Sequence, residues 1–433
     1  MPAARKNHWR IAPVLLLAAL AWAGVVQAAA WRGGPGYRTY SIGNESTPTP
    51  APVTGGFLLS GGGDWNYDAF RWFTAHAGHG HIVVLRASGS TEAQEEFYAA
   101  VKGVTSVRTF VFSNRRAASD PRVLDAVKAA DGIFIAGGDQ SNYVRMWRGT
   151  PLNAALDAHV AMGRPLGGTS AGLAILGSWL YGAMDGGSIT SAQALADPLG
   201  KAVTIEGHFL HNPQLAHVFT DSHFDTRERL GRLIAFLAKT SVMDPGATLA
   251  GLGVDEDSAL ALEVDGTARF LASAAGKHAW LVQAGAIAAP RPGVPLELAG
   301  VQVTGIGVGS TLDLNTLQVT APAFMRTYDV IAGRMQQRPE APADLVFVHG
   351  FVYTVDGTDS VAQAVAVRAG RIAYVGSDAG VHEFIGPQTR QVDLAGRMLM
   401  PGLIDAHMHP QSGGLRMLDC NLKYLPLTVP EFQ

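Results

Sequence analysis

The strongest constraint on the fold of this chain is the alternation, between Gly56 and Leu176, of short, mainly apolar segments with longer amphipathic ones. Gly56 to Ser60, His81 to Leu85, Thr109 to Phe112, Gly132 to Ala136 and Arg164 to Gly167 have the length and apolar character of buried strands. Tyr67 to Ala77, Pro121 to Ala130, Leu152 to Met162 and Ala171 to Leu176 carry helical spacing. A strand apolar on successive residues must be covered on both faces, and intervening helices supply the cover. The pattern therefore predicts an α/β fold, a mostly parallel sheet with helices on both faces.

Length and composition bound the rest. At 433 residues the chain suggests two or three domains, and 47% hydrophobic with 16% charged residues suits a compact globular enzyme. A net charge of -3 offers no basic stripe for phosphates, so nucleic acid is excluded as a partner class. Arg5, Lys6 and Arg10 precede an apolar run from Ile11 to Val26, and Val26-Gln27-Ala28 gives a small-x-small cleavage pattern. Residues 1–28 thus read as a cleaved signal peptide leading to a periplasmic or secreted protein, the run being too short for a stable membrane anchor. Residues 29–54, rich in Pro, Thr, Ser and Gly, read as a flexible leader, and the polar, Pro-containing stretch 334–343 as a linker. Beyond it, Leu345 to Val355 and Ala364 to Val375 alternate around Gly350 and Gly370 like hairpins, predicting a small, mainly β C-terminal unit. The single cysteine, Cys420, leaves no internal disulfide.

The chemistry centres on Gly168-Thr169-Ser170-Ala171-Gly172, a G-x-S-x-G turn placed where a strand meets a helix. Such a turn lifts a serine oxygen clear of the sheet and aims the following N–H at a developing oxyanion. Serine needs a base within hydrogen-bond reach, itself oriented by a third group. His223, in Phe219-Thr220-Asp221-Ser222-His223-Phe224, sits at a strand end ahead of a helix expected from Asp225. The orienting acid is left open by spacing among Asp221, Asp255, Glu256 and Asp257. His76, His79 and His81 read as turn histidines, with no carboxylate or Cys to complete a ligand set.

Four ordered blocks resemble the motifs of cyanophycinases and related dipeptidases: Gly137-Gly138-Asp139-Gln140, the Ser170 turn, Asp221-Ser222-His223-Phe224 with Arg227, Arg229 and Arg232, and Gly253-Val254-Asp255-Glu256-Asp257. The resemblance covers Gly55 to Ala332 and implies a class I glutamine-amidotransferase-like fold for residues 55–333. It implies Ser170 as nucleophile, His223 as base, Glu256 as orienter, and the Gly138 and Ala171 amides as the oxyanion hole. It further implies a substrate pocket of Gln140, Asp221, Arg227, Arg229 and Arg232, suited to a peptide or dipeptide with acidic and arginyl groups, since charged hydrogen bonds are the strong ones. No cofactor is implied. The three arginines cannot share one helix face, so at least one is expected to pack or pair. Where the family usually has Gln before the histidine, this chain has Ser222, which loosens the expectation of cyanophycin itself and leaves aspartyl and β-aspartyl linkages.

Asp344-Leu345-Val346, Asp356-Gly357, Gly370-Arg371-Ile372 and the run Pro401 to His409 resemble the opening of an amidohydrolase-3-like metal-dependent hydrolase. There an H-x-H pair, here His407 and His409, gives two imidazoles to a metal. A barrel of about 250 residues would be needed to complete the site, so residues 344–433 read as a truncated segment whose histidines are remnant ligands. Two rival readings are a metal-dependent amidohydrolase, which a chelator would inhibit, and a non-catalytic binding protein, whose Ser170 would resist serine reagents. The oligomeric state is not set by the sequence; a dimer is compatible with it.

Overall fold

A computed structural model describes residues 32–402, apart from 90–91, 247–248, 285–289, 339–340 and 357–359, together with residues 428 and 430. The signal-peptide reading of residues 1–28, Cys420, and the metal-ligand reading of His407 and His409 lie outside the described residues. The chain divides into two compact units, Met1–Arg338 and Pro339–Gln433.

In the first unit, the apolar segments form five parallel strands in the order Ser106–Phe112, His81–Arg86, Gly132–Ile135, Leu166–Thr169 and Phe57–Ser60. Successive side chains on a strand point to opposite faces. Leu58, Ile82, Val84 and Phe134 accordingly pack against Ala69, Phe70 and Phe73 of the helix Tyr67–His76. Phe57, Leu59, Val83, Leu85 and Ile133 face the other way, onto Val123 and Val127 of the helix Pro121–Ala129 and Leu156 of the helix Pro151–Ala161. The helix starts are written locally: Asn66, Asp120 and Thr150 each accept a backbone N–H as N-cap, and prolines occupy the first position of the latter two.

The α/β architecture is as the sequence predicts, and its sheets are mixed. Antiparallel strands extend the parallel centre at both edges into an eleven-stranded sheet. A second, eight-stranded sheet holds Val218–Asp221 parallel to Ala250–Val254 and to Trp179–Tyr181, with antiparallel strands to Gln337 beyond. The helix Leu230–Met243 packs Leu233, Ile234, Phe236 and Leu237 onto it.

Three expectations need correcting. Residues 29–54 are not a leader outside the fold: Arg32–Gly34 and Tyr37–Gly43 are strands, the second paired along its whole length with Ser106–Phe112. The polar composition of this stretch suits an edge, where one side of the strand meets water. The expected linker begins too early, because Arg334–Gln337 pairs with Phe324–Ile331. The helix expected from Asp225 starts at Leu230, with Arg229 as its N-cap, so of the three arginines only Arg232 is helical.

The second unit is mainly β. The strands Arg371–Gly376, Ala364–Arg368, Leu345–Val348 and Arg390–Asp393 form one sheet, and Val361–Ala362, Phe351–Tyr353 and Met398–Leu399 another. Ala369 and Gly370 turn a hairpin as expected. Gly350 does not, because the strands on either side of it belong to different sheets.

Candidate active site

Ser170 follows the strand Leu166–Thr169 and precedes the helix Ala171–Ala174, with φ 54 and ψ −116. A non-glycine residue rarely adopts that conformation, and the surroundings must hold it there. The flanking glycines are what permit it. A Cβ on Gly172 would run into the Ile135 carbonyl oxygen, and one on Gly168 would lie 2.5 Å from the Gly172 carbonyl oxygen. The five-residue motif is thus a packing requirement of this turn.

The Ser170 Oγ lies 2.6 Å from His223 Nε2, and His223 Nδ1 lies 2.5 Å from Glu256 Oε1. His223 lies two residues beyond the end of Val218–Asp221, and Glu256 two beyond that of its parallel neighbour Ala250–Val254, so both lie just past the carboxyl ends of paired strands. Burial pushes the His223 pKa below the ordinary imidazole value, against the opposing effect of the Glu256 hydrogen bond. Partial burial pushes Glu256 upward, but its hydrogen bond to His223 and the imidazole's charge outweigh this and hold the carboxyl below its usual range. Both shifts favour a neutral imidazole beside a carboxylate, the resting form of a general base.

The other three acids have separate occupations. The Asp221 carboxylate receives Arg232 Nε at 2.7 Å and Nη2 at 2.5 Å, with Arg229 Nη1 at 3.3 Å. Asp255, 1% exposed, accepts from the backbone N–H groups of Asp225 and His278 and from Trp280 Nε1, at 3.0, 2.9 and 2.9 Å. It ties the turn after His223 to the acid loop, and burial raises its pKa. Asp257 Oδ1 accepts the Asp64 N–H at 2.7 Å.

One element of the site, the loop Gly61-Gly62-Gly63, is missing from the sequence reading. The Ser60 carbonyl accepts the Ser170 N–H at 3.2 Å, Gly61 that of His223 at 2.8 Å, and Gly62 that of Asp257 at 2.8 Å. A single short loop therefore holds the serine, histidine and acid segments together. Gly62 has φ +97, and a Cβ there would strike His223 Cε1 and lie 2.7 Å from Nε2. The three consecutive glycines were the available signal. Their partners, some 110 to 195 residues away, were not.

A cleft of about 210 Å³ beside Ser170 is lined by Gly138, Gln140, Ala171, Ser222, Arg227 and Arg229, among others. Of the predicted pocket residues, Gln140, Arg227 and Arg229 are thus brought to it, as are both expected oxyanion residues. Asp221 and Arg232 are not: they are 2% and 1% exposed, and Arg232 also binds Ser188 Oγ at 2.7 Å. Their expected contact with substrate is replaced by a buried ion pair beneath Ser222, where an unpaired charge of either sign would be costly. Arg229 donates to the Ser222 carbonyl at 2.7 Å, and burial lowers its pKa to about 10, leaving it charged at neutral pH.

His76, His79 and His81 do not converge on a ligand set. His76 bonds the Trp72 carbonyl and Glu263, while His81 bonds Ser106 and the Thr47 carbonyl. Among the described residues no group of three or more metal-binding side chains is found, and no helix is long and apolar enough to cross a membrane.

Residues 57–267 match the model of peptidase family S51. A cyanophycinase of Synechococcus elongatus is 33% identical over 193 residues, which make up 44% of this chain and 55% of that protein. Shorter likenesses tie the chain to Protein LONG AFTER FAR-RED 3 of Arabidopsis thaliana, 44% identical over 81 residues, and to an adenine deaminase of Paracoccus denitrificans, 46% identical over 94 residues. These stretches cover 19% and 22% of this chain and 14% of each relative. The chain therefore spans about half the length of the cyanophycinase and a small part of the other two.

Proposed function

We propose that this protein is an exported serine-type peptidase that hydrolyses aspartyl or β-aspartyl peptide bonds. The observation that carries the reading is the Ser170–His223–Glu256 chain of hydrogen bonds, with its serine on a strained strand-to-helix turn. In this mechanism His223 Nε2 takes the Ser170 proton as Oγ attacks the amide carbonyl, and Glu256 stabilises the imidazolium. The Gly138 and Ala171 amides receive the oxyanion. Collapse of the tetrahedral intermediate breaks the C–N bond, and the leaving amine takes the proton from His223. Water, deprotonated by the same imidazole, then attacks the acyl-enzyme carbonyl and frees Ser170 and the acid product.

Arg227 and Arg229, lining the cleft with Gln140, support a carboxylate on the acyl half of the substrate. The basic start and apolar run of residues 5–26 support export. The short likenesses to the adenine deaminase and the Arabidopsis protein support an amidohydrolase-like origin for residues 344–433. The test is an intact-mass screen of aspartyl and isoaspartyl dipeptides and cyanophycin with wild type and Ser170→Ala. Hydrolysis by wild type, lost in Ser170→Ala, is expected. Hydrolysis that survives in Ser170→Ala would sink the reading.

A further inference from the structure

The oxyanion hole depends on one soft peptide. Gly138 donates its N–H from the peptide it shares with Gly137, and with a glycine on each side, sterics do little to stop that plane from rotating. The bond is trans, so its N–H and its C=O point in opposite directions. Whatever holds the Gly137 carbonyl therefore aims the Gly138 N–H.

The chain is anchored on either side of this peptide. The strand Gly132–Ile135 pairs with Leu166–Thr169, Ile135 opposite Gly168, and the Ala136 N–H donates to the Leu85 carbonyl at 3.0 Å. Beyond the glycines, Asp139 caps the helix Gln140–Trp147 by accepting the Ser141 N–H at 2.9 Å. Between these anchors the loop passes alongside the nucleophile: a Cβ on Gly137 would lie 3.3 Å from Ser170 Cβ and 3.7 Å from Oγ. Neither anchor fixes the plane between the two glycines.

Tyr143 does. From the first turn of the helix its hydroxyl reaches back to the loop, 2.6 Å from the Ala136 carbonyl oxygen and 3.3 Å from that of Gly137. One proton shared by two acceptors is a three-centre bond, made here to consecutive carbonyls. The ring itself is locked in the core. Tyr143 and Trp147 are both fully buried with ring centroids 4.6 Å apart, and Trp147 meets Phe112 edge-on at 5.3 Å. Burial pushes the phenol pKa above its ordinary value, against the charge of Arg86 and a backbone hydrogen bond from Ala87, so the hydroxyl keeps the proton it donates. At 0% exposure the side chain meets no substrate; what it holds is backbone.

Resting on the serine-peptidase reading, we propose that Tyr143 is a positioning residue of the oxyanion hole. Its hydroxyl holds the Gly137 carbonyl, and through the rigid peptide plane it turns the Gly138 N–H toward the oxygen of the attacked carbonyl. The donor is thus oriented before charge develops on that oxygen, which is what makes a fixed dipole effective. Because Tyr143 touches no part of the substrate, its effect falls on the tetrahedral state and not on ground-state binding.

The test is Tyr143→Phe, which removes one oxygen and keeps the ring. Titration to completion with a fluorophosphonate counts the sites that can form a serine adduct, and kinetics on α-aspartyl-leucine are expressed per titrated site. The per-site kcat is expected to fall about tenfold, less than the roughly 10²–10³ that follows outright loss of an oxyanion donor, with KM unchanged. An aspartyl boronate, whose tetrahedral adduct puts an oxygen in the hole, should bind more weakly by the same factor, while inhibition by free aspartate stays as in wild type. A tyrosine that only supports the fold would lower the melting temperature or the number of titratable sites and leave per-site kcat and boronate affinity intact. That result would overturn the proposal, as would a loss carried by KM instead of kcat. Wild type that neither titrates nor cleaves would remove the serine-peptidase reading itself, and this proposal with it.

Discussion

Residues 32–338 and the C-terminal unit are both rich in β-structure, yet they bury their side chains very differently. The first unit has three extended apolar clusters in which Phe73, Phe134, Phe219, Leu252 and many others are fully enclosed. Among the described residues of the second, one cluster joins Ala343, Val346, Ala364, Ala366 and Val381, while Ile372 is 69% and Met398 58% exposed. The difference matters for function because a serine at positive φ needs surroundings rigid enough to hold it. Dense packing around the Ser170 turn meets that need, and the described core of the second unit, centred on small alanine and valine side chains, has little capacity for it.

Changes at the triad should separate the units most sharply. Glu256→Gln is expected to lower kcat on the order of 10⁴-fold, as when a triad acid becomes an amide, with little change in thermal unfolding; steady-state kinetics on an aspartyl dipeptide would show it. A loss below tenfold would remove Glu256 from its orienting role. Gly62→Ala comes next. Its Cβ must displace the His223 ring, and an ångström of misplacement costs on the order of 10² in rate. Full activity in this variant would mean that the loop does not set the imidazole's position.

The pH profile should shift less. Since activity needs neutral His223, kcat/KM rises as pH increases through its pKa, and burial puts that acid limb below the ordinary imidazole value of 6.5. Glu256→Gln removes the partner that favours the charged imidazole, so residual activity should carry its acid limb lower still. An acid limb above 6.5 in wild type would contradict this placement. The smallest catalytic effect belongs to the second unit. Val346→Ala, at a fully buried position, is expected to destabilise that unit by about 1–3 kcal/mol and to change kcat/KM less than twofold. Calorimetry and kinetics together check this, and a proportionate loss of activity would show that the two units act as one.

Much of the catalytic layout was legible because it is local. The Ser170 turn announces itself in five residues, and its glycines answer clashes within the turn and with the end of the neighbouring strand Gly132–Ile135. The Asp225 expectation failed for a physical reason: Asp225 spends its N–H on Asp255, and the chain turns through Glu228 at φ 49 before the helix can start. Asp221 and Arg232 looked like pocket residues because their charges are compatible with a substrate; burial gave them to each other instead. Residues 32–43 looked loose because half-exposed strands at the rim of a sheet need no apolar run.

By itself, the sequence determined the alternation of strand and helix, the elbow serine, and the presence of a histidine at a strand end. Those depend on hydrophobic period, glycine sterics and residues adjacent in the chain. Only the tertiary structure decided that Ser170, His223 and Glu256 come within hydrogen-bond reach of one another, and that Ser60 to Gly62 gather three distant segments. Each of these is a distance of a few ångströms between groups separated by tens to hundreds of residues, fixed by the pairing of strands across two sheets and not by any local pattern.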